Sequence, residues 1–136
     1  MSLVLVDTDI LVDACRGETT AVEYLVTEEA QGAVSISAVT RMELLIGCRD
    51  KTELRATERF LNRFVTLQLT ESISQRAVKL VADYHLSHSM RIPDALIAAT
   101  ALAAALPLAT KNQKHFKFIP GLRVAAYPAD MKAATK

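Results

Sequence analysis

The chain has 136 residues, with 16 Lys and Arg against 15 Asp and Glu, and two Cys. That length suits one domain, spanning 1–136, that buries a core without a metal or disulfide staple, and a net charge of +1 advertises no polyanion partner in sum. Half of the residues are apolar, with no Trp and few aromatics, so the core is expected to be aliphatic.

Leu3-Val4-Leu5-Val6 reads as a short strand sealed on both faces in the middle of a parallel sheet, and it stops abruptly at Asp7. Asp7 therefore stands at a strand's carboxyl end, the edge where ligands sit in open α/β sheets. Thr8 and Asp9 have helix-capping side chains, and Ile10, Leu11, Ala14 and Cys15 give the following helix an apolar face. Gly17 ends it; Thr19 or Thr20 is expected to cap a second helix to about Ala30, with Val22, Leu25 and Val26 on one face. Ala33 to Ser37 is a second strand, leading through Thr40, Met42, Glu43 and Leu44 into a helix that reaches Gly47. Arg49 to Phe64 reads as a charged, mostly exposed helix with Arg55, Arg59 and Arg63 along one side.

Val65 to Leu69 alternates as a strand should, and Thr70 opens a long helix to about His88. Ile92-Pro93-Asp94 starts an Ala-rich helix, with Pro setting the first-turn φ and Asp facing the positive helix end. Leu106 to Thr110 is a further strand, the loop Lys111 to Phe116 follows, and Leu122 to Ala125 forms a last strand before a polar tail. Strands alternating with helices predict a three-layer α/β/α sandwich over a mostly parallel sheet of four to five strands. The apolar start has no basic stretch before it and is soon broken by acids, so it does not read as a signal peptide. Ala95 to Ala109 is too short to span a bilayer, so no membrane association is expected. Cys15 and Cys48 read as small buried thiols in a reducing, cytoplasmic setting.

Most acids lie in polar surroundings, but Asp7, Glu43 and Asp94 do not. If their elements converge at one sheet edge, three carboxylates meet in a crevice, and such groups need a raised pKa or a cation among them. Mg²⁺ or Mn²⁺ takes carboxylate, water and phosphate oxygens, so the set suggests metal-assisted phosphate chemistry. Taken singly, Glu43 also suits a capping box with Thr40, Asp94 a macrodipole contact, and Asp13 a surface pair with Arg16.

The ordered set of Asp7-Thr8-Asp9-Ile10-Leu11-Val12-Asp13, Ile36-Ser37 through Thr40-x-x-Glu43-Leu44 to Gly47, Pro93-Asp94-Ala95-Leu96-Ile97-Ala98-Ala99-Thr100, and Ala109-Thr110-Lys111-Asn112 ending His115-Phe116 resembles the PIN-domain ribonucleases. Within these it is most similar to the VapC-type toxins of toxin–antitoxin modules. The resemblance implies a Mg²⁺- or Mn²⁺-dependent endoribonuclease that leaves a 3′-hydroxyl and a 5′-phosphate. It also implies a cognate antitoxin that fills a hydrophobic groove, and homodimerisation. Asp7, Glu43 and Asp94 match the family's acidic metal-binding residues, Thr8 and Ser37 small polar residues lining the site, and Thr110 and Asn112 the polar pair after the fourth strand. Asp9 stands where Asn is common; it is expected to hold a water, orient it, or cap the helix. His115 occupies a place where many relatives carry a further acid. Lys111, Lys114, Arg16 and Arg41 flank the expected site and are candidate contacts to RNA. His85 and His88 are expected to act only as cations at a helix C-terminus.

Two other functions fit parts of the pattern. A haloacid-dehalogenase-type phosphatase also begins with a strand and Asp-x-Asp and uses a Ser after the second strand, but it leaves Glu43 and Asp94 unexplained. A non-catalytic PIN-like module that binds RNA or protein is the other, with His115 as its support.

Overall fold

The computed structural model describes residues 2–128; the end of the polar tail expected from the sequence falls outside the described residues. The elements run β1 (Ser2–Val6), α1 (Thr8–Cys15), α2 (Thr19–Gln31), β2 (Ala33–Ser37), α3 (Ala38–Ile46) and α4 (Lys51–Leu61). After these come β3 (Val65–Leu67), α5 (Glu71–His88), α6 (Ile92–Ala104), β4 (Leu108–Ala109), a 3-10 turn (Gln113–His115) and β5 (Val124–Ala125). All neighbouring strands are parallel, in the order β3-β2-β1-β4-β5. Among the described residues, no helix is long and apolar enough to cross a membrane.

β1 is central because it can be apolar on both faces. Val4 and Val6 join Ile10, Leu11, Leu25, Val34 and Ile36 in one core, while Leu5 points the other way into a core built with Ile73, Leu80, Ile97, Leu108 and Phe116. Ala95, Ala98, Ala99 and Ala101 of α6 have no exposed surface, so the helix lies close on the sheet. Arg16 caps α1 and Gly17 follows at φ +78°, a left-handed turn that a side chain would strain.

The chain leaves β1 toward β2 on one side and returns through β4 on the other. The strand order therefore reverses between β1 and β4, and their carboxyl ends open a crevice at that point. Asp7 ends β1 and Thr110 follows β4, with Asp7 N donating to Ala109 O at 2.9 Å.

Several local expectations are corrected. The helix expected from Arg49 starts at Lys51, because Asp50 accepts from Glu53 N at 2.8 Å and caps it. Glu18 precedes α2 in the cap position without a side-chain bond, and α2 buries Ala21, Tyr24 and Leu25, leaving Val22 and Val26 exposed. The strands expected over Val65–Leu69, Leu106–Thr110 and Leu122–Ala125 pair only over 65–67, 108–109 and 124–125. Pro107 has no N–H to give a ladder, although its carbonyl accepts from Leu5 N. Cys15 is exposed and Cys48 half-buried.

Candidate active site

Asp7 is 5 % exposed and is the N-cap of α1. Its Oδ1 accepts from Thr8 N at 2.8 Å, and its Oδ2 accepts from the Thr110 hydroxyl at 2.7 Å. Burial pushes this carboxyl up to about 7, and the neighbouring Asp9 and Asp94 charges add to the rise against the pull of Thr110 and Thr8. Asp9, in the first turn of α1, is also raised by burial. Its Oδ2 accepts from Lys111 N and Asn112 Nδ2, both at 3.1 Å, and lies 3.3 Å from Thr110 Oγ1, whose one proton goes to the nearer Asp7. Asp9 Oδ1 is buried with no hydrogen-bond partner among the described residues.

Glu43 reaches the same edge from α3. Thr8 Oγ1 donates to Glu43 Oε1 at 2.6 Å and lies 3.0 Å from Thr40 Oγ1. A hydroxyl carries one proton, so with Thr8 donating to Glu43 it is Thr40 that donates to Thr8. Asp94 arrives in the first turn of α6, where Oδ2 stands 3.7 Å from Arg91 Nε and 4.0 Å from His115 Nδ1. Four carboxylates thus approach one edge from three helices. Among the described residues, no three of the His, Cys, Asp and Glu side chains are close enough together to hold a metal ion among them as they stand. Mg²⁺ does not require three, since it commonly keeps several waters and takes one or two carboxylates. The lone buried oxygen on Asp9 and the raised carboxyl of Asp7 are what a hard cation would relieve, so the residues present fit such an ion.

The other expected site residues divide by position. Ser37 is fully buried and caps α3, accepting from Val39 N at 3.1 Å, so the capping box expected between Thr40 and Glu43 does not form. Thr40 is instead a buried member of the hydroxyl chain to Glu43, a role the sequence signalled only as a cap. Asn112 holds Asp9, as does the Lys111 backbone. The Lys111 ammonium turns to Asp13 at 2.7 Å, replacing the pair expected between Asp13 and Arg16. Arg41 points away from the acids, donating to Thr66 Oγ1 and Asn62 Oδ1. A cavity of about 870 Å³ opens between α1, α3 and α4, lined by Val12, Cys15, Leu44, Cys48 and Phe60, and it meets the acidic cluster only at Glu43.

Comparison with known proteins gives a consistent result. The PIN domain family matches residues 4–121. Ribonuclease VapC10 of Mycobacterium tuberculosis is 38% identical over 122 residues, covering 89% of this chain and 91% of that protein. Ribonuclease VapC19 of the same species is 38% identical over 121 residues, covering 88% and 96%. Among solved structures, a toxin-antitoxin complex from Klebsiella pneumoniae contains a chain that superposes with a TM-score of 0.74 at 32% identity, covering 92% of this chain and 97% of that one. VapBC2 from Rickettsia felis, bound to a DNA fragment from its promoter, shares the fold with a TM-score of 0.76 at 24% identity, covering 91% and 97%.

Proposed function

Since the chain belongs to the PIN domain family, we propose that it is a metal-dependent endoribonuclease acting as the toxin of a toxin–antitoxin pair, with Asp7, Glu43, Asp94 and Asp9 as its acidic centre. The observation that supports this reading is the raised carboxyl of Asp7 at the switch point between β1 and β4, lifted in part by the Asp9 and Asp94 charges, with Glu43 bonded to the adjacent Thr8. Asp7, Glu43 and Asp94 would hold a Mg²⁺ or Mn²⁺ ion there partly through the ion's own waters, since they do not close around it by themselves. When bound, the ion supplies Lewis acidity toward water and toward the charge that grows on the phosphodiester.

The chain's own groups prepare that chemistry. Thr8 N–H and the Thr110 hydroxyl fix both oxygens of Asp7, and the Thr8–Thr40 hydroxyl chain aims Glu43 at the same edge. Asn112 and the Lys111 N–H hold one oxygen of Asp9 and leave Oδ1 available to orient a water. His115, beside Asp94, lines the site and contacts a substrate phosphate. The partners are RNA and an antitoxin segment seated in the cavity by Val12, Leu44 and Phe60, which Arg16, Arg49 and Glu53 also line and from which a basic side chain reaches Glu43. The phosphatase reading has no place for Glu43 and Asp94.

The test is direct. The purified chain, incubated with a panel of structured and single-stranded RNAs, is expected to cut in Mg²⁺ or Mn²⁺ and to stop in EDTA, leaving 5′-phosphate ends. Intact RNA throughout the panel in both metals overturns the proposal.

A further inference from the structure

Two stretches outside the acidic centre run side by side. They meet first over Asp94, where Arg91 and His115 stand 3.7 and 4.0 Å from the same carboxylate oxygen. Three residues along each chain they meet again: the ring of His88 lies flat on that of Phe118, with centroids 3.9 Å apart and planes 19° from parallel. Tyr84 packs against both rings, tilted on Phe118 at 4.9 Å and edge-on to His88 at 5.8 Å, and Ser87 Oγ lies 2.7 Å from His88 Nδ1. His88 is exposed while Phe118 is half-buried, so the stack presents a ring fixed on one face by Phe118 and at one edge by Ser87.

A free surface histidine samples several rotamers; the contacts with Phe118 and Ser87 favour one of them for His88. The surroundings are cationic. Arg91 is 70 % exposed along its side chain, and Lys114 and Lys117 are exposed and make no ion pair among the described residues. An ordered aromatic face beside separate cations is the arrangement that binds single-stranded nucleic acid, with a base on the ring and phosphates on the cations.

We propose that His88, backed by Phe118, is a base-stacking subsite for single-stranded RNA, and that Arg91, Lys114 and Lys117 hold the backbone between that base and the acidic centre. The proposal rests on the ribonuclease reading for the identity of the ligand. Continuity with the acids favours RNA over a protein occupant: Arg91 and His115, each three residues along the chain from a ring of the stack, both stand beside Asp94. The cavity beside α4 is a separate surface, bounded by different residues.

The experiment measures binding and turnover separately. Fluorescence anisotropy with a labelled single-stranded RNA of about ten nucleotides, in Ca²⁺ to hold cleavage back, compares the wild type with His88→Ala and His88→Phe. Loss of one stacked base is worth roughly tenfold in affinity, so His88→Ala is expected to bind about ten times more weakly and His88→Phe to keep most of the affinity. An oligonucleotide with abasic internal positions should bind the wild type weakly and His88→Ala no worse. In Mg²⁺, KM for the same RNA should rise in His88→Ala with kcat within about twofold. Equal affinity of wild type and His88→Ala for the intact RNA overturns the subsite. If the wild type cuts no RNA, the function above fails, while the anisotropy comparison still decides the subsite.

Discussion

The hydroxyl of Thr8 donates to Glu43 Oε1 at 2.6 Å, tying the first turn of α1 to α3 across 35 positions of sequence. Glu43 is half-buried, so water can replace part of what is lost, and Thr8→Val should cost about 1 kcal/mol of stability. Its larger effect should be on cleavage, which falls about tenfold because Glu43 is no longer aimed at the edge. Thr8→Ser, which keeps the hydroxyl, should stay near the wild-type rate. Chemical denaturation and initial rates with a defined RNA check both, and an unaltered rate in Thr8→Val would remove Thr8 from the positioning of Glu43.

Asp7 ties stability to pH. Its carboxyl titrates at about 7 in the folded chain against an ordinary value of 3.8, so between those values the folded state keeps a proton that the unfolded state has released. Stability from this group is therefore fully present below about pH 4, declines as pH rises, and levels off above about 7, by up to about 4 kcal/mol. Asp9, also raised by burial, acts in the same direction. Urea denaturation in EDTA should show lower stability at pH 8 than at pH 5, and Mg²⁺ at pH 8 should restore part of the loss by binding only the folded chain. Stability that climbs from pH 5 to 8 in EDTA would contradict the burial of an ionising Asp7.

Asp7→Asn separates chemistry from folding. The amide oxygen still accepts from Thr8 N, and its N–H₂ can donate to Thr110 Oγ1, whose own proton is then free for Asp9. We expect cleavage to drop at least a hundredfold, while stability at pH 8 matches or exceeds the wild type and its pH dependence flattens. The stabilisation by Mg²⁺ should shrink as well. A variant that cuts RNA at the wild-type rate excludes Asp7 from the mechanism.

Asp7 was legible in the sequence because a fully apolar run that ends in a carboxylate marks the exit of a buried strand, and the order of strands and helices followed from the same periodicity. What the linear pattern could not display is how side chains far apart choose partners. Asp13 lies three residues before Arg16 and pairs instead with Lys111, 98 positions away, because the loop after β4 crosses the start of α1. Thr40 stands three residues before Glu43 as in a capping box, yet Ser37 takes the cap and frees Thr40 for Thr8. The His88–Phe118 stack was invisible for the same reason: only the packing of α5 against the loop after the 3-10 turn brings those rings together.

The Lys111–Asp13 pair should matter little for folding. Lys111 is 44 % exposed along its side chain, and solvent screens a pair this open. Lys111→Ala keeps the backbone N–H that holds Asp9, so we expect little change in stability, less still at about 0.5 M salt, and cleavage within a few-fold of wild type. A loss of many-fold in activity would show that the ammonium leaves Asp13 to meet the substrate.

The close seat of α6 sets where Asp94 stands, and it depends on side chains that end at Cβ. Ala98 is fully buried in the core that Leu5, Leu108 and Phe116 share. Leucine there adds three carbons to a filled space, so the helix must lift from the sheet or its neighbours must leave their rotamers, at a cost of about 1–3 kcal/mol. Lifting α6 also draws Asp94, one turn earlier, away from Asp7. Ala98→Leu is therefore expected to lower the midpoint of unfolding and to reduce kcat more than it raises KM. Ala103→Leu, on the exposed side of the same helix, should do neither. Melting curves and steady-state cleavage of the three proteins decide it: if Ala98→Leu is destabilised yet cuts RNA with the wild-type kcat, the position of α6 does not govern the acidic centre.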